Sequence, residues 1–218
     1  MVSIVVPLLD DTPAAVRLLA TLPARPDVEI VLVDGGHDPA LDGLAAARAD
    51  VRLIRSARGR GRQLDAGAAG ASGAWLWFLH ADSRVPAGWR DVFAQAPDAG
   101  GGWFRFALDS AAWQARLLER LVAWRVRVLR LPYGDQGIFV RRETFARLGG
   151  FGDLPLMEDV AFVRRLVRDG PVHESPLAVT TSARRWERDG WLRRSLRNVT
   201  LLALYQLGVS PARLARWY

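Results

Sequence analysis

The run Leu76-Trp77-Phe78-Leu79-His80-Ala81-Asp82 carries large apolar residues straight into a carboxylate. A continuous apolar stretch set between Gly73 and Ser83-Arg84-Val85-Pro86 suits a strand covered on both faces, as in the parallel sheet of an α/β domain. Ligands of such sheets gather at the carboxyl ends of the strands. Asp82 at that edge either caps the following turn or offers hard oxygen to a divalent cation, which would neutralise phosphate. Glu158 and Asp159 stand where a helix opens, a place to which capping and dipole preferences bring carboxylates as readily as catalysis does. The loop Arg58-Gly59-Arg60-Gly61-Arg62 sets arginines on flexible backbone beside a helix start, either as a solvated basic loop or as a holder of diphosphate. Its glycines match neither a dinucleotide fingerprint nor a P-loop.

Such residues need a sheet to hold them, and the chain is long enough to build one. Its 218 residues, half of them apolar, suit a single domain with a large core. The absence of cysteine excludes disulfides and thiolate metal sites. The amino terminus enters Val2-Ser3-Ile4-Val5-Val6 without the pattern of a secretory signal, so the cytoplasm is the expected compartment. No apolar run approaches the roughly 20 residues that span a bilayer. The net charge of +7 is unevenly spread. Residues 1–112 hold 11 Arg against 13 Asp and Glu, and residues 113–218 hold 19 against 10, so the basic excess belongs to the second half. All 30 basic residues are Arg, whose guanidinium favours bidentate contact with phosphate or carboxylate; a genomic bias toward Arg gives the same composition.

The first half alternates strands and helices. Strands are expected over residues 2–7, 29–33 and 51–55, with the fourth at 76–82. Thr12-Pro13 reads as an N-cap and first turn, Asp38-Pro39 can open a second helix, and a small-residue helix is expected over 63–72. This order argues for a right-handed, mostly parallel sheet. In the second half, Gly101 to Ala107 alternates as a strand with Arg105 facing away from its aromatic neighbours. A long helix is expected over 111–131, with Leu117, Leu118, Leu121, Val122, Trp124, Val128 and Leu129 as its apolar stripe and arginines on the rest. Tyr133-Gly134-Asp135-Gln136-Gly137 is a polar turn into a strand, and helices are expected over 191–207 and 210–217.

Together these motifs give the chain a family likeness. It resembles the GT-A glycosyltransferases of family two through Pro7-Leu8-Leu9-Asp10-Asp11, Val33-Asp34-Gly35-Gly36, Leu79-His80-Ala81-Asp82, Gly149-Gly150-Phe151 and Glu158-Asp159. Within that family it is most similar to a bacterial branch labelled arsenosugar biosynthesis glycosyltransferase. The narrower likeness rests on residues 78–82, 132–142 and 156–159, on Thr180 to Trp186, and on Leu214-Ala215-Arg216-Trp217-Tyr218. The resemblance implies an α/β fold: a GT-A, Rossmann-like, mostly parallel sheet flanked by helices. A nucleotide-sugar half would cover 1–112, an acceptor half 113–190 and C-terminal helices 191–218.

The resemblance also implies roles. Asp34 would contact base or ribose, Asp11 would lie beside the nucleotide, and Arg58 and Arg62 near base or diphosphate. Asp82 matches the last carboxylate of the family's Asp-x-Asp metal motif. His80 replaces the first, so a Mn²⁺ or Mg²⁺ ion would be held by Asp82, His80, the diphosphate and water, with the imidazole suiting manganese better. Asp159 matches the catalytic base of an inverting displacement and Glu158 its neighbour. Gly134, Asp135, Gln136 and Trp186 would line the acceptor side, although a polar turn and simple packing explain them as well. The partners implied are a nucleotide sugar and an unidentified small-molecule or lipid acceptor. The C-terminal helices would cover the domain, form a homodimer contact or lie peripherally on a membrane. The competing reading is a non-catalytic basic module for nucleic acid or anionic membrane. No nucleic-acid motif accompanies the high pI, and the enzyme is the expected class.

Overall fold

A computed structural model describes residues 1–217; Tyr218, the last residue of one resemblance motif, lies outside the described residues. The elements follow as β1 Val2–Leu8, α1 Thr12–Thr21, β2 Val28–Asp34, α2 Ala40–Ala46, β3 Val51–Arg55, α3 Arg60–Gly70, β4 Trp75–Phe78, α4 Asp91–Ala94 and β5 Gly101–Leu108. Then come α5 Trp113–Leu129, a 3₁₀ turn Gly134–Gln136, β6 Phe139–Arg141, α6 Arg142–Leu148, α7 Glu158–Asp169, β7 Val172–Thr181, α8 Arg184–Asp189, α9 Trp191–Gln206 and α10 Pro211–Ala215.

The strands form one 7-stranded mixed sheet in the order β3-β2-β1-β4-β6-β5-β7. Parallel pairing joins β1 to β2 and β4, β2 to β3, and β5 to β7; β6 alone runs against its neighbours β4 and β5. The alternation of side chains along the central strands divides the core. Val5, Val31, Leu76 and Phe78 face one cluster, and Ile4, Ile30, Leu32 and Trp77 face the other. Because apolar residues fill both faces, the strands read as continuous apolar runs rather than alternating ones. Each such side chain, buried from water, contributes about 1.5–3 kcal/mol. Trp77 stacks on Phe104 at 4.9 Å and donates its indole N–H to the Gly137 carbonyl at 3.1 Å, so this buried ring leaves no donor unpaired.

Several expectations change. β4 ends at Phe78, and a turn closed by the Ser83 N–H on the His80 carbonyl at 3.1 Å carries His80, Ala81 and Asp82. The N-cap of α1 is Asp11, whose side chain accepts from the Ala14 N–H at 3.3 Å, rather than Thr12. The helix expected over 63–72 starts at Arg60, so Arg60, Gly61 and Arg62 form its first turn instead of a flexible loop. On α5 the buried residues are Ala115, Val122 and Val126, while Leu117, Leu121, Trp124, Val128 and Leu129 of the expected apolar stripe are exposed. That sequence has apolar residues on two arcs of the helix, and only the arc containing Val122 meets β5. Strand β7 and helix α8 escape the periodicity analysis because neither carries a sustained apolar pattern.

The early start of α3 brings it against the segment before α7. A Cβ on Gly61 would stand 2.2 Å from the Gly152 carbonyl oxygen, closer than any tolerable contact. Alanine normally gains about 1 kcal/mol over glycine inside a helix, but the overlap with backbone reverses the sign here. Gly61→Ala is expected to lower stability by about 2 kcal/mol, measured by urea unfolding. A neutral or stabilising result would mean that α3 does not pack this closely.

Candidate active site

The carboxyl edge of the sheet holds a cavity of about 280 Å³. The turn after β4 supplies His80 and Asp82, the 3₁₀ turn before β6 supplies Gly134 and Asp135, the head of α7 supplies Glu158 and Asp159, and α8 supplies Trp186. Arg60, from the first turn of α3, completes this group. Met157 precedes α7 with a φ of 66°, a left-handed conformation that costs a β-carbon-bearing residue about 1–2 kcal/mol. It turns the chain so that Glu158 and Asp159 enter the helix on the cavity side.

Asp159 is held from three directions. One carboxylate oxygen, Oδ2, accepts from the Gly134 N–H at 2.8 Å and from Arg60 Nη2 at 3.0 Å; the other, Oδ1, accepts from the Val160 N–H at 2.8 Å. A carboxylate offers about four acceptor positions, which leaves Oδ1 with one for an incoming hydroxyl. Position 134 is tight for anything larger than glycine. A side chain there would press at 3.3 Å on Asp159 Oδ2 and at 3.4 Å on His80 Nε2. Arg60 also pairs through Nε with the buried Glu158, 98 residues away in sequence. Burial raises the Glu158 carboxyl above its ordinary pKa, and Arg60 opposes that rise.

The electrostatics are uneven. Burial, reinforced by Arg60 and Arg185, lowers the pKa of His80 to about 3, so its imidazole is neutral at physiological pH. Burial pushes the Asp135 carboxyl up to about 6; Arg125 opposes this, and the nearby Asp159 and Asp82 add to it. The buried Oδ1 of Asp135 finds no hydrogen-bond partner among the described residues. A neutral imidazole, an open carboxylate and a crowded, unpaired carboxyl oxygen form a donor set that suits a divalent cation. Among the described residues, however, no group of three or more His, Asp or Glu side chains is arranged to hold an ion by itself.

The remaining expected site residues lie outside the cavity lining. Asp34 is wholly buried at the end of β2. It accepts from the Gly36 and Asp38 N–H groups at 2.7 Å each and pairs with Arg55. Of Asp34, Asp82 and Asp159, the cavity lining brings together Asp82 and Asp159, while Asp34 ties down its own loop. Asp11 caps α1 and meets Arg184 at 3.2 Å, Arg58 is exposed near Asp10, and Arg62 pairs with Asp153. Gln136 turns inward instead of toward an acceptor: its amide donates to the Phe104 carbonyl at 3.2 Å, and its oxygen accepts from the Tyr133 N–H at 3.3 Å. Trp186 lines the cavity while packing edgewise toward Phe106 and beneath Arg194.

The expected site residues left out Tyr133, Met157 and Arg194, which line the cavity, and took Arg60 only as one of three arginines in a basic loop. Starting α3 just after Gly59 puts both Arg60 and Arg62 in its first turn, and of the two Arg60 lines the cavity. A second cleft, walled by Arg185, Arg188, Asp189, Arg193, Arg194 and Arg197, adjoins the first through Arg185 and Arg194 and gives this end of the sheet a strongly positive border.

Comparison with known proteins agrees with this architecture. Residues 3–99 match the family model described as Glycosyl transferase family 2. No curated protein matches the chain. Among solved structures, Staphylococcus aureus TarS residues 1–349 in complex with UDP-GlcNAc is similar at 15% identity and a TM-score of 0.63, covering 83% of this chain and 58% of that one. The same TarS fragment without the ligand named aligns at 12% identity and a TM-score of 0.65 over 98% of this chain and 68% of its own, and a further TarS structure aligns at 14% and 0.61 over 98% and 41%. The chain therefore spans little more than half the length of the first of these structures. Its mixed, mostly parallel seven-stranded sheet flanked by helices is the GT-A, Rossmann-like fold, with the match to glycosyl transferase family 2 running through residues 3–99.

Proposed function

We propose that the protein is an inverting glycosyltransferase that moves a sugar from a nucleoside-diphosphate sugar to an acceptor hydroxyl. The observation that carries this reading is the meeting of Asp159, Arg60, His80 and Asp82 in one cavity at the carboxyl edge of the sheet. The family match over residues 3–99 and the UDP-GlcNAc named with TarS support a nucleotide-sugar donor. In the proposed step, Asp159 takes the proton of the acceptor hydroxyl through its open position on Oδ1. The hydroxyl oxygen forms its bond to the anomeric carbon as the bond from that carbon to the diphosphate oxygen breaks, and the electron pair leaves with the diphosphate. Attack opposite the leaving group inverts the carbon. Arg60 and Arg185 border the cavity, where positive charge stabilises departing phosphate.

His80 and Asp82 would hold a Mn²⁺ or Mg²⁺ ion, with Asp135 near enough in charge to favour it. Such an ion would supply Lewis-acid neutralisation of the diphosphate. Asp34, which is wholly buried, would reach a nucleoside only by exchanging a present partner such as Arg55, whereas Asp11 keeps carboxylate positions open beside Arg184. The narrower likeness to the arsenosugar branch rests on segments that contribute His80, Asp82, Tyr133, Asp135, Glu158 and Asp159 to this cavity, so we assign any chemistry peculiar to that branch here. Trp186, Gly134 and Asp135 would border the acceptor.

Two measurements test this. Asp159→Asn should keep nucleoside-diphosphate affinity, measured by calorimetry, while transfer falls by about 10²–10⁴; unchanged turnover would remove Asp159 from the role of base. The raised pKa of Asp135 fixes the second. Its folded value of about 6 lies above the unfolded 3.8, so stability is greatest at acid pH and is lost as pH rises from about 4 through 6. Asp135→Asn should therefore be more stable than the parent at pH 8, by about 2–3 kcal/mol, and should lose that advantage below pH ~4. Mn²⁺ with a nucleoside diphosphate should raise the melting temperature of the parent more than that of Asp135→Asn or Asp82→Asn. Equal shifts in all three proteins would argue against a cation at this cavity.

A further inference from the structure

The large apolar side chains that remain in solvent are concentrated on two helices. On α5, Trp113, Leu117, Leu121, Trp124 and Val128 are 46–69% exposed. Their spacings of four, four, three and four residues put them in one stripe, on the side away from the buried Ala115, Val122 and Val126. Arg116, Arg120 and Arg127 are exposed and run beside this stripe. Helix α9 repeats the arrangement: Leu192, Leu196 and Val199 are 57–72% exposed, Leu207 follows just beyond its end, and Arg193 and Arg197 lie on the flank. Residues of both helices enter one core cluster on the same side of the sheet. Both also abut the cavity. Arg125 of α5 stacks on Tyr133 at 3.6 Å, and Tyr133 shares the lining with Arg194, Asn198 and Leu201 of α9.

We propose that these two helix faces form a docking surface for a bilayer that contains anionic lipid. Apolar stripes of this length on an otherwise folded domain mark an interaction surface, and the charge beside them selects the occupant. A second copy of the chain would bring arginine row against arginine row. Anionic headgroups instead neutralise both rows while the apolar side chains enter the acyl boundary. Trp113 and Trp124 suit the headgroup level, where an indole has both apolar and polar surroundings. No helix among the described residues is long and apolar enough to cross a membrane, so the contact lies in the plane of the surface. The charge asymmetry of the chain fits the same orientation, since its basic excess falls in residues 113–218. The docking surface and the chemistry of the cavity are separate claims.

Co-sedimentation of the full chain with vesicles tests the proposal. Binding is expected with mixed phosphatidylcholine and phosphatidylglycerol and not with phosphatidylcholine alone, and it should weaken as salt rises. The double variant Leu121→Glu/Trp124→Glu should abolish it, and Arg120→Ser/Arg127→Ser should weaken it about fivefold for each arginine removed. These side chains are exposed, so both variants should match the parent in urea midpoint and in nucleoside-diphosphate binding. Three results would overturn the proposal: no sedimentation with anionic vesicles, sedimentation indifferent to the substitutions, or a stable dimer in solution that Leu121→Glu/Trp124→Glu dissolves.

Discussion

Arg60 joins the two halves of the site. It stands on the first turn of α3, which packs against β1 and β2, and it reaches Glu158 and Asp159 at the head of α7. Burying those carboxylates without a cation would cost several kcal/mol apiece, so the position of α7 depends on where α3 begins. The surrounding contacts reinforce this dependence. Gly61 lets the backbone at Gly152 come close, and Asp65, one turn further along α3, accepts from the Phe151 and Gly152 N–H groups at 2.7 and 2.9 Å. One short helix therefore holds both ends of the segment that leads from Phe151 and Gly152 into Glu158 and Asp159.

The same arrangement sets the electrostatic character of the cavity. Burial, reinforced by Arg60 and Arg185, keeps His80 neutral, and burial, with Asp159 and Asp82 adding to it, raises Asp135. Positive charge therefore borders a cluster of carboxylates rather than cancelling it, an arrangement suited to a cation bridged to phosphate. The arginine-walled cleft alongside extends the positive border outward along α8 and α9.

Much of this was legible in the sequence, for reasons that differ from residue to residue. Strands β1 to β3 were readable because runs of valine and isoleucine end at turn residues, and the head of α7 because Glu158-Asp159 precedes a strongly amphipathic stretch. The order of the sheet was not, since β6 is three residues long and β7 has no clear alternation. The exposure of the α5 stripe was not legible, because apolar periodicity reveals that a face is apolar, not whether protein covers it. The loop bonds of Asp34 were not legible either, because a carboxylate ending a strand looks the same in sequence whether or not it ties down Gly36 and Asp38. Arg60 was not told apart from Arg58 and Arg62 because Gly59 and Gly61 suggested a flexible loop, although Gly61 is a helical residue whose missing side chain permits close packing.

The dependence of the site on Arg60 is measured most directly by a double-mutant cycle in urea, using Arg60→Met, Glu158→Gln and their combination. Arg60→Met alone should cost about 3 kcal/mol or more, and the combined variant should cost less than the sum of the two, by at least ~1 kcal/mol. Additive effects within about 0.5 kcal/mol would mean that Arg60 and Glu158 do not act on one another, and that something other than this ion pair holds α7 against α3.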